Sequence, residues 1–249
     1  MKFYDLHTHT THSDGDATVQ QLLDAAEARG CGLGVSDHLL CCGMETLEAV
    51  TAYLDELERY PVLKGCEANV GEDYRLPDAI ANRLDYVIAS VHEVSDLAGG
   101  SIHLGVYFGE RAGDDVVWER NIDESRSREY LETVLPVVER TMSTQRMDIY
   151  GHCTVLPFCE ILAGTSYLED WENELISLCL KYNVAMEISG LWKEPGLAMI
   201  RRAAKRGVKF SLGSDCHLLK DACNIDYPIR MVEEAGLTED QLWIPNPGK

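Results

Sequence analysis

Lys2-Phe3-Tyr4-Asp5-Leu6-His7-Thr8-His9, then Val19 to Arg29, then Leu33-Gly34-Val35-Ser36-Asp37-His38 is the stretch on which the fold turns. The first and third segments are short, largely apolar runs that end in imidazoles or a carboxylate. The segment between them places Leu22, Leu23 and Ala26 on one helical face and meets Gly30 at the C-cap position. Strand, helix and strand in that order predict a parallel βαβ unit. In an extended strand residues i and i+2 share a face, so His7 and His9 project together and can grip one ion. Ser13-Asp14-Gly15 follows at once as a turn sequence, with Asp14 a further candidate ligand.

The same rhythm runs outward from this unit. Glu45 to Arg59 carries helical spacing through Leu47, Val50, Leu54 and Leu57, and Pro61 stands before the apolar run that leads to Gly65-Cys66-Glu67. Pro77 opens another helix ahead of the run from Tyr86 to His92. Alternation continues through 126–142, 149–153, 171–182, 184–189, 195–206, 208–213 and 228–234, which predicts a parallel α/β barrel in a single domain spanning 1–249. Glu93 to Asp123 breaks the pattern: it is glycine-rich and too long for an ordinary connection, so it is expected to be a lid or specificity element. Leu242 to Lys249, with Pro245 and Pro247, is expected to be an irregular end.

Composition narrows the function. The chain has 249 residues, 45% of them hydrophobic, which suits one filled barrel rather than two domains. Its 22 basic and 42 acidic residues give a net charge of -20, which argues against capture of a nucleic-acid backbone or an anionic membrane. No signal peptide or membrane span is readable, so a cytoplasmic location is expected. Nine cysteines without a C-x-x-C pair read as reduced thiols.

The remaining candidates close other apolar runs: His38, Glu67, His92 after Ser90-Val91, His152 after Gly151, and Asp215 and His217 in Gly213-Ser214-Asp215-Cys216-His217. Neutral imidazoles and carboxylates suit zinc, manganese or iron, and carboxyl-terminal strand ends are where a barrel enzyme keeps such ligands. Asp5 and Asp37 flank ligands and are expected to orient imidazoles, His12 to be a rim group and His103 to be exposed.

With D-L-H-T-H-T-T-H-S-D-G at 5–15, S-D-H at 36–38, G-C-E at 65–67, S-V-H at 90–92, G-H at 151–152 and G-S-D-C-H at 213–217, the chain resembles the PHP (polymerase and histidinol phosphatase) family nearly end to end. The resemblance implies a distorted (β/α)7 barrel holding three divalent metal ions, and phosphoester hydrolysis by a metal-bridged hydroxide. It assigns His7, His9, Glu67 and Asp215 to one ion, Glu67, His92 and His152 to a second, and Asp14, His38 and His217 to a third. Asp215, His217 and Glu67 would then carry the chemistry, with Asp215 or His217 moving the proton of the leaving group.

The leading substrate on this resemblance is histidinol phosphate, with a cyclic phosphate, other diester or short oligonucleotide as the alternative. A non-catalytic metal-bound barrel is the third reading. Similar phosphatases carry an arginine in a G-L-R-K-like segment where this chain has Gly190-Leu191-Trp192-Lys193. Lys193, Arg111 and Arg120 are therefore the phosphate-binding candidates, with a lysine offering only a point charge. Trp192 is a candidate for stacking on a substrate ring.

Overall fold

The helix expected over 19–29 forms as α1 (Val19–Arg29), with Thr18 and Gln21 closing a reciprocal cap and Gly30 ending it at φ 69°. A left-handed residue at this position costs glycine nothing, and its N–H satisfies two terminal carbonyls. The computed structural model describes residues 1–95, 97–104 and 122–245. On either side of α1 lie β1 (Tyr4–Asp5) and β2 (Gly32–Val35), paired in parallel as the βαβ reading requires.

The order continues with α2 (Leu47–Leu57), β3 (Leu63–Lys64), β4 (Glu67–Asn69), α3 (Asp78–Ala81), β5 (Ile88–Ser90), β6 (Glu93–Ser95) and β7 (Ser101–His103). It closes with α4 (Glu124–Thr144), β8 (Ile149–Tyr150), α5 (Phe158–Ile161), α6 (Ser166–Tyr182), β9 (Ala185–Ser189), α7 (Leu197–Arg206), β10 (Phe210–Gly213) and α8 (Asp226–Ala235). Strands β1-β2-β3 form one parallel sheet and β10-β9-β8-β5-β4 another.

The two sheets are tied together on both sides. Beyond β1 and β10, the Leu6 N–H donates to Leu212 O at 2.9 Å and the Asp215 N–H to His7 O at 2.8 Å. Beyond β2, the Glu67 N–H donates to Asp37 O at 3.0 Å and the Leu39 N–H to Glu67 O at 2.7 Å. The chain changes sheets at Gly65-Cys66, where a side chain on Gly65 would collide with the Tyr86 ring.

Leu6, Tyr86, Ile88, Ile149 and Ala185 make a small buried cluster contributed by several strands. The larger core fills the space between strands and helices, with Tyr53, Leu54, Leu57, Tyr130, Phe158 and Phe210 at most 1% exposed. Burying each aliphatic side chain of this kind contributes about 1.5–3 kcal/mol.

The segment expected to be a lid begins as an antiparallel hairpin, β6 with β7, against α4, because Val94 is buried while Glu93 and Ser95 face outward; residues 96 and 105–121 lie outside the described residues. The tail is irregular over the described residues 243–245, as expected, and is anchored to the sheet: the Trp243 N–H donates to Phe210 O at 2.7 Å and its ring meets Tyr86 edge-on.

Candidate metal centre

Glu67 stands at the start of β4, just past the break between β3 and β4, and is 1% exposed. Its Oε2 lies 3.3 Å from His7 Nε2, 3.5 Å from His9 Nε2 and 3.1 Å from His38 Nδ1. Its Oε1 lies 3.3 Å from both His92 Nε2 and His152 Nε2. One carboxylate is thus faced by five imidazoles carried from the ends of β1, β2, β5 and β8. Asp215, just past β10, places Oδ1 3.2 Å from His9 Nε2 and 3.5 Å from His7 Nε2. Asp14 places Oδ2 3.4 Å from His217 Nε2 and 3.6 Å from His38 Nε2.

The nine residues expected as ligands therefore converge. The groups whose donor atoms crowd together are His9 with Asp14, His38 and His217, His7 with His9 and Asp215, and His38 with Glu67 and His92. His9 and His38 each belong to two groups, whereas the resemblance shares only Glu67 between two ions, so the sets are less sharply partitioned here.

Ring tautomers suit metal binding. His7 Nδ1 is 2.7 Å from Glu187 Oε1, His92 Nδ1 is 2.7 Å from Asn69 Oδ1, and His217 Nδ1 is 3.1 Å from the Asp215 carbonyl. Each of these acceptors holds a proton on Nδ1 and leaves Nε2 bare toward the centre, as a metal-ligating histidine requires. His7 Nε2, both nitrogens of His9, His38 Nδ1 and Glu67 Oε1 are buried with no hydrogen-bond partner. Orphaned polar atoms at this density cost about 1–3 kcal/mol each, so a cation is the group they fit.

The fields within the cluster are strong. Burial alone would raise Glu67, but His7, His92 and His38 hold its pKa well below the carboxylate range. Asp215 is likewise opposed by burial and pulled well down by His7 and His9. Burial lowers His38 to about 4, while His217, despite burial, is raised to about 9 beside Asp14 and Asp215. His152 and Asp215 adopt left-handed backbone, with φ of 25° and 53°, a conformation that costs non-glycine residues about 1–3 kcal/mol.

Asp5 and Asp37 do not orient imidazoles. Asp5 Oδ1 accepts the Ser214 N–H at 2.8 Å, and Asp37 gathers the Thr10 N–H at 2.7 Å and the Ser13 hydroxyl at 2.6 Å, so both carboxylates fix the backbone that carries the ligands. Glu187 and Asn69 are the residues that act on the rings, and sequence reasoning missed both. Glu187 had a readable signal: it is a carboxylate inside the otherwise apolar run 184–188, where burial demands a partner.

Above the cluster opens a cavity of about 420 Å³. Its wall includes Trp192, whose indole N–H donates to Asp215 Oδ2 at 2.7 Å and whose ring meets His152 edge-on. Trp192 is therefore tied to a site carboxylate rather than presented as an unengaged stacking platform. Lys193 lines a neighbouring cavity of about 540 Å³ that shares Asp215 and His217. Arg111 and Arg120 lie outside the described residues. His103 is exposed as expected, yet it lines the cavity, and His12 pairs with Glu56 at 2.9 Å away from the cluster.

A family profile described as the PHP domain matches residues 5–190. A Clostridium acetobutylicum protein named "Probable phosphatase" is 36% identical over 97% of this chain and 90% of its own length. A Thermoanaerobacter sp. protein of like name is 26% identical over 98% of this chain and 91% of its own. The solved structure of the "putative histidinol phosphatase hisK" from Listeria monocytogenes superposes with a TM-score of 0.68 over 91% of this chain and 99% of its own, at 14% identity, which speaks to fold alone.

Proposed function

The chain belongs to the PHP domain family and hydrolyses phosphate esters, and from that premise we propose that it releases phosphate from a small monoester at a centre of three divalent ions. The carrying observation is Glu67 with five imidazole nitrogens around one carboxylate, several of them buried without a partner. His7, His9, Glu67 and Asp215 would hold one ion, Glu67, His92 and His152 a second, and Asp14, His38 and His217 a third, with zinc, manganese or iron suited to the donors. The hydrogen bonds joining the two parallel sheets on both sides support closure into a distorted (β/α)7 barrel.

Such ions, when bound, make a nucleophile of water at neutral pH and neutralise charge on the phosphoryl oxygens. The protein's own part is positional. Glu187, Asn69 and the Asp215 carbonyl fix the ring tautomers, and Trp192 holds one oxygen of Asp215. Asp215 is ionised at neutral pH and has no proton to give, whereas His217 can carry one while its Nε2 is uncoordinated. Lys193, in the adjoining cavity that shares Asp215 and His217, is the described basic candidate for the phosphate.

A net charge of -20 supports a small substrate over bulk nucleic acid, and nine free cysteines support a reducing, cytoplasmic setting. No described helix is long and apolar enough to cross a membrane. Histidinol phosphate is the leading substrate, with a diester as the second reading. The test is elemental analysis of purified enzyme together with phosphate release from histidinol phosphate, 5′-nucleotides and cyclic phosphates. Three ions per chain and release from a monoester are expected; a metal-loaded enzyme that releases no phosphate from any of them defeats the monoester reading.

A further inference from the structure

Glu194 takes no part in the ligand set. It follows β9 across a tight reversal in which the Ser189 N–H donates to Glu194 O at 2.8 Å, and this places its side chain in the wall of the cavity above the metal centre. The residue is 4% exposed. Its Oε1 accepts the Thr154 N–H at 3.2 Å, and its Oε2 is buried with no hydrogen-bond partner.

The surroundings offer Glu194 little compensation. Val91, Leu104, Val155 and Leu156 give the cavity apolar wall, and its described lining contains neither lysine nor arginine. Burial pushes the carboxyl well above the carboxylate range, with Glu187 and Asp215 adding like charge and the Thr154 N–H working against them. A carboxyl kept in such a place, half satisfied and beside a ligand-sized space, gains its missing partner from what enters.

We propose that Glu194 is a specificity-determining residue that binds a hydrogen-bond-donating group, an ammonium or a hydroxyl, at the end of the substrate remote from its phosphate. This rests on the phosphoesterase reading and extends it to the substrate class: a phosphomonoester with a donor at its far end. With Oε1 taking the Thr154 N–H, the free Oε2 accepts such a donor as a carboxylate oxygen, and an ammonium in that place holds the carboxyl ionised against its burial. A purely structural role needs only the Thr154 contact, which a glutamine also makes.

The experiment uses phosphonates, whose carbon–phosphorus bond survives the enzyme. Dissociation constants are measured by calorimetry on the metal-loaded enzyme for ω-aminoalkyl-, ω-hydroxyalkyl- and plain alkylphosphonates of several chain lengths, with wild type, Glu194→Gln and Glu194→Leu. Wild type should bind a donor-bearing probe about tenfold or more tightly than the plain one at some length. If the donor is an ammonium, Glu194→Gln loses the preference; if it is a hydroxyl, Glu194→Gln keeps it and Glu194→Leu loses it. Equal affinities in wild type at every length, or a preference unchanged in both variants, overturn the role of Glu194 while leaving the phosphoesterase reading intact. Absence of both phosphonate binding and phosphate release removes that reading, and this inference with it.

Discussion

Replacing Glu187 with glutamine isolates the contribution of the carboxylate behind the centre. Glu187 is 1% exposed; Oε1 lies 2.7 Å from His7 Nδ1 and Oε2 accepts the His152 N–H. Glutamine keeps the volume but has one oxygen, so its amide nitrogen must face either the His7 Nδ1 proton or the His152 N–H. One acceptor is lost, and the other bond drops from charge-assisted to neutral. A hydrogen bond to a charged group contributes about 1.5–3 kcal/mol and a neutral one about 0.5–1.5, so the downgrade alone costs about 1–1.5 kcal/mol, and the orphaned donor adds to it. Independently, removing the outer partner of a ligating histidine weakens metal binding by about 10–100-fold. Both routes meet near 2 kcal/mol, or roughly 30-fold in metal affinity. Competition with a fluorescent chelator gives the affinity, and thermal unfolding of the metal-free protein shows whether the variant is folded. A folded Glu187→Gln protein that binds metal within about threefold of wild type refutes the argument.

Three further outcomes follow from the same geometry. Glu67→Ala should lose more bound metal than His38→Ala by elemental analysis, because Glu67 faces five imidazoles; equal losses would mean that no carboxylate is shared. A methyl on Gly213 would overlap the Glu187 carboxylate and the Cβ of His7, so Gly213→Ala should fold with impaired metal binding, and unimpaired binding would place these groups farther apart than they are here. In chelated protein, His217 has its pKa raised from 6.5 to about 9, with Asp14 and Asp215 outweighing burial. A raised pKa means stability fully present below pH 6.5 that fades as pH rises through about 9. Because the His217 and Asp14 side chains are 32% and 43% exposed, the loss should be about 1–2 kcal/mol rather than the full shift. Unfolding curves across that window should flatten in Asp14→Asn; an unchanged slope would remove Asp14 as the cause.

Periodicity made most of the frame readable. α1 was placed at its observed bounds, and the helices over 126–142 and 171–182 appear within longer observed ones, Glu124–Thr144 and Ser166–Tyr182. An apolar stripe at helical spacing survives any tertiary context that buries one face. The cluster of candidate ligands was readable because imidazoles and carboxylates at the ends of buried runs have no inexpensive alternative to partnership. The hairpin β6–β7 was not readable, since alternation of one buried residue between two exposed ones is too short to stand out from a glycine-rich loop. Nor was Glu194, whose position depends on the reversal after β9 rather than on any local pattern.

Three departures from regular structure lie at the metal centre, at Gly65-Cys66, His152 and Asp215, and each does something that regular structure would prevent. An unbroken strand from Leu63 to Asn69 would keep one register with β2, whereas the change of sheet at Gly65-Cys66 lets Glu67 bridge to His38 on one side and pair with Ile88 on the other. Left-handed backbone at His152 and Asp215 turns these side chains toward Glu67 and His9, with the Asp215 N–H still bonded to the His7 carbonyl. Such local costs, about 1–3 kcal/mol apiece, persist only where surrounding contacts over-determine them. Here the surrounding contacts are Asp5 on Ser214 and Asp37 on Thr10 and Ser13, carboxylates spent on backbone rather than on rings. The loops that present the candidate ligands are thus braced by the protein's own carboxylates, and bracing of this kind lowers the ordering entropy that binding at such a centre would cost.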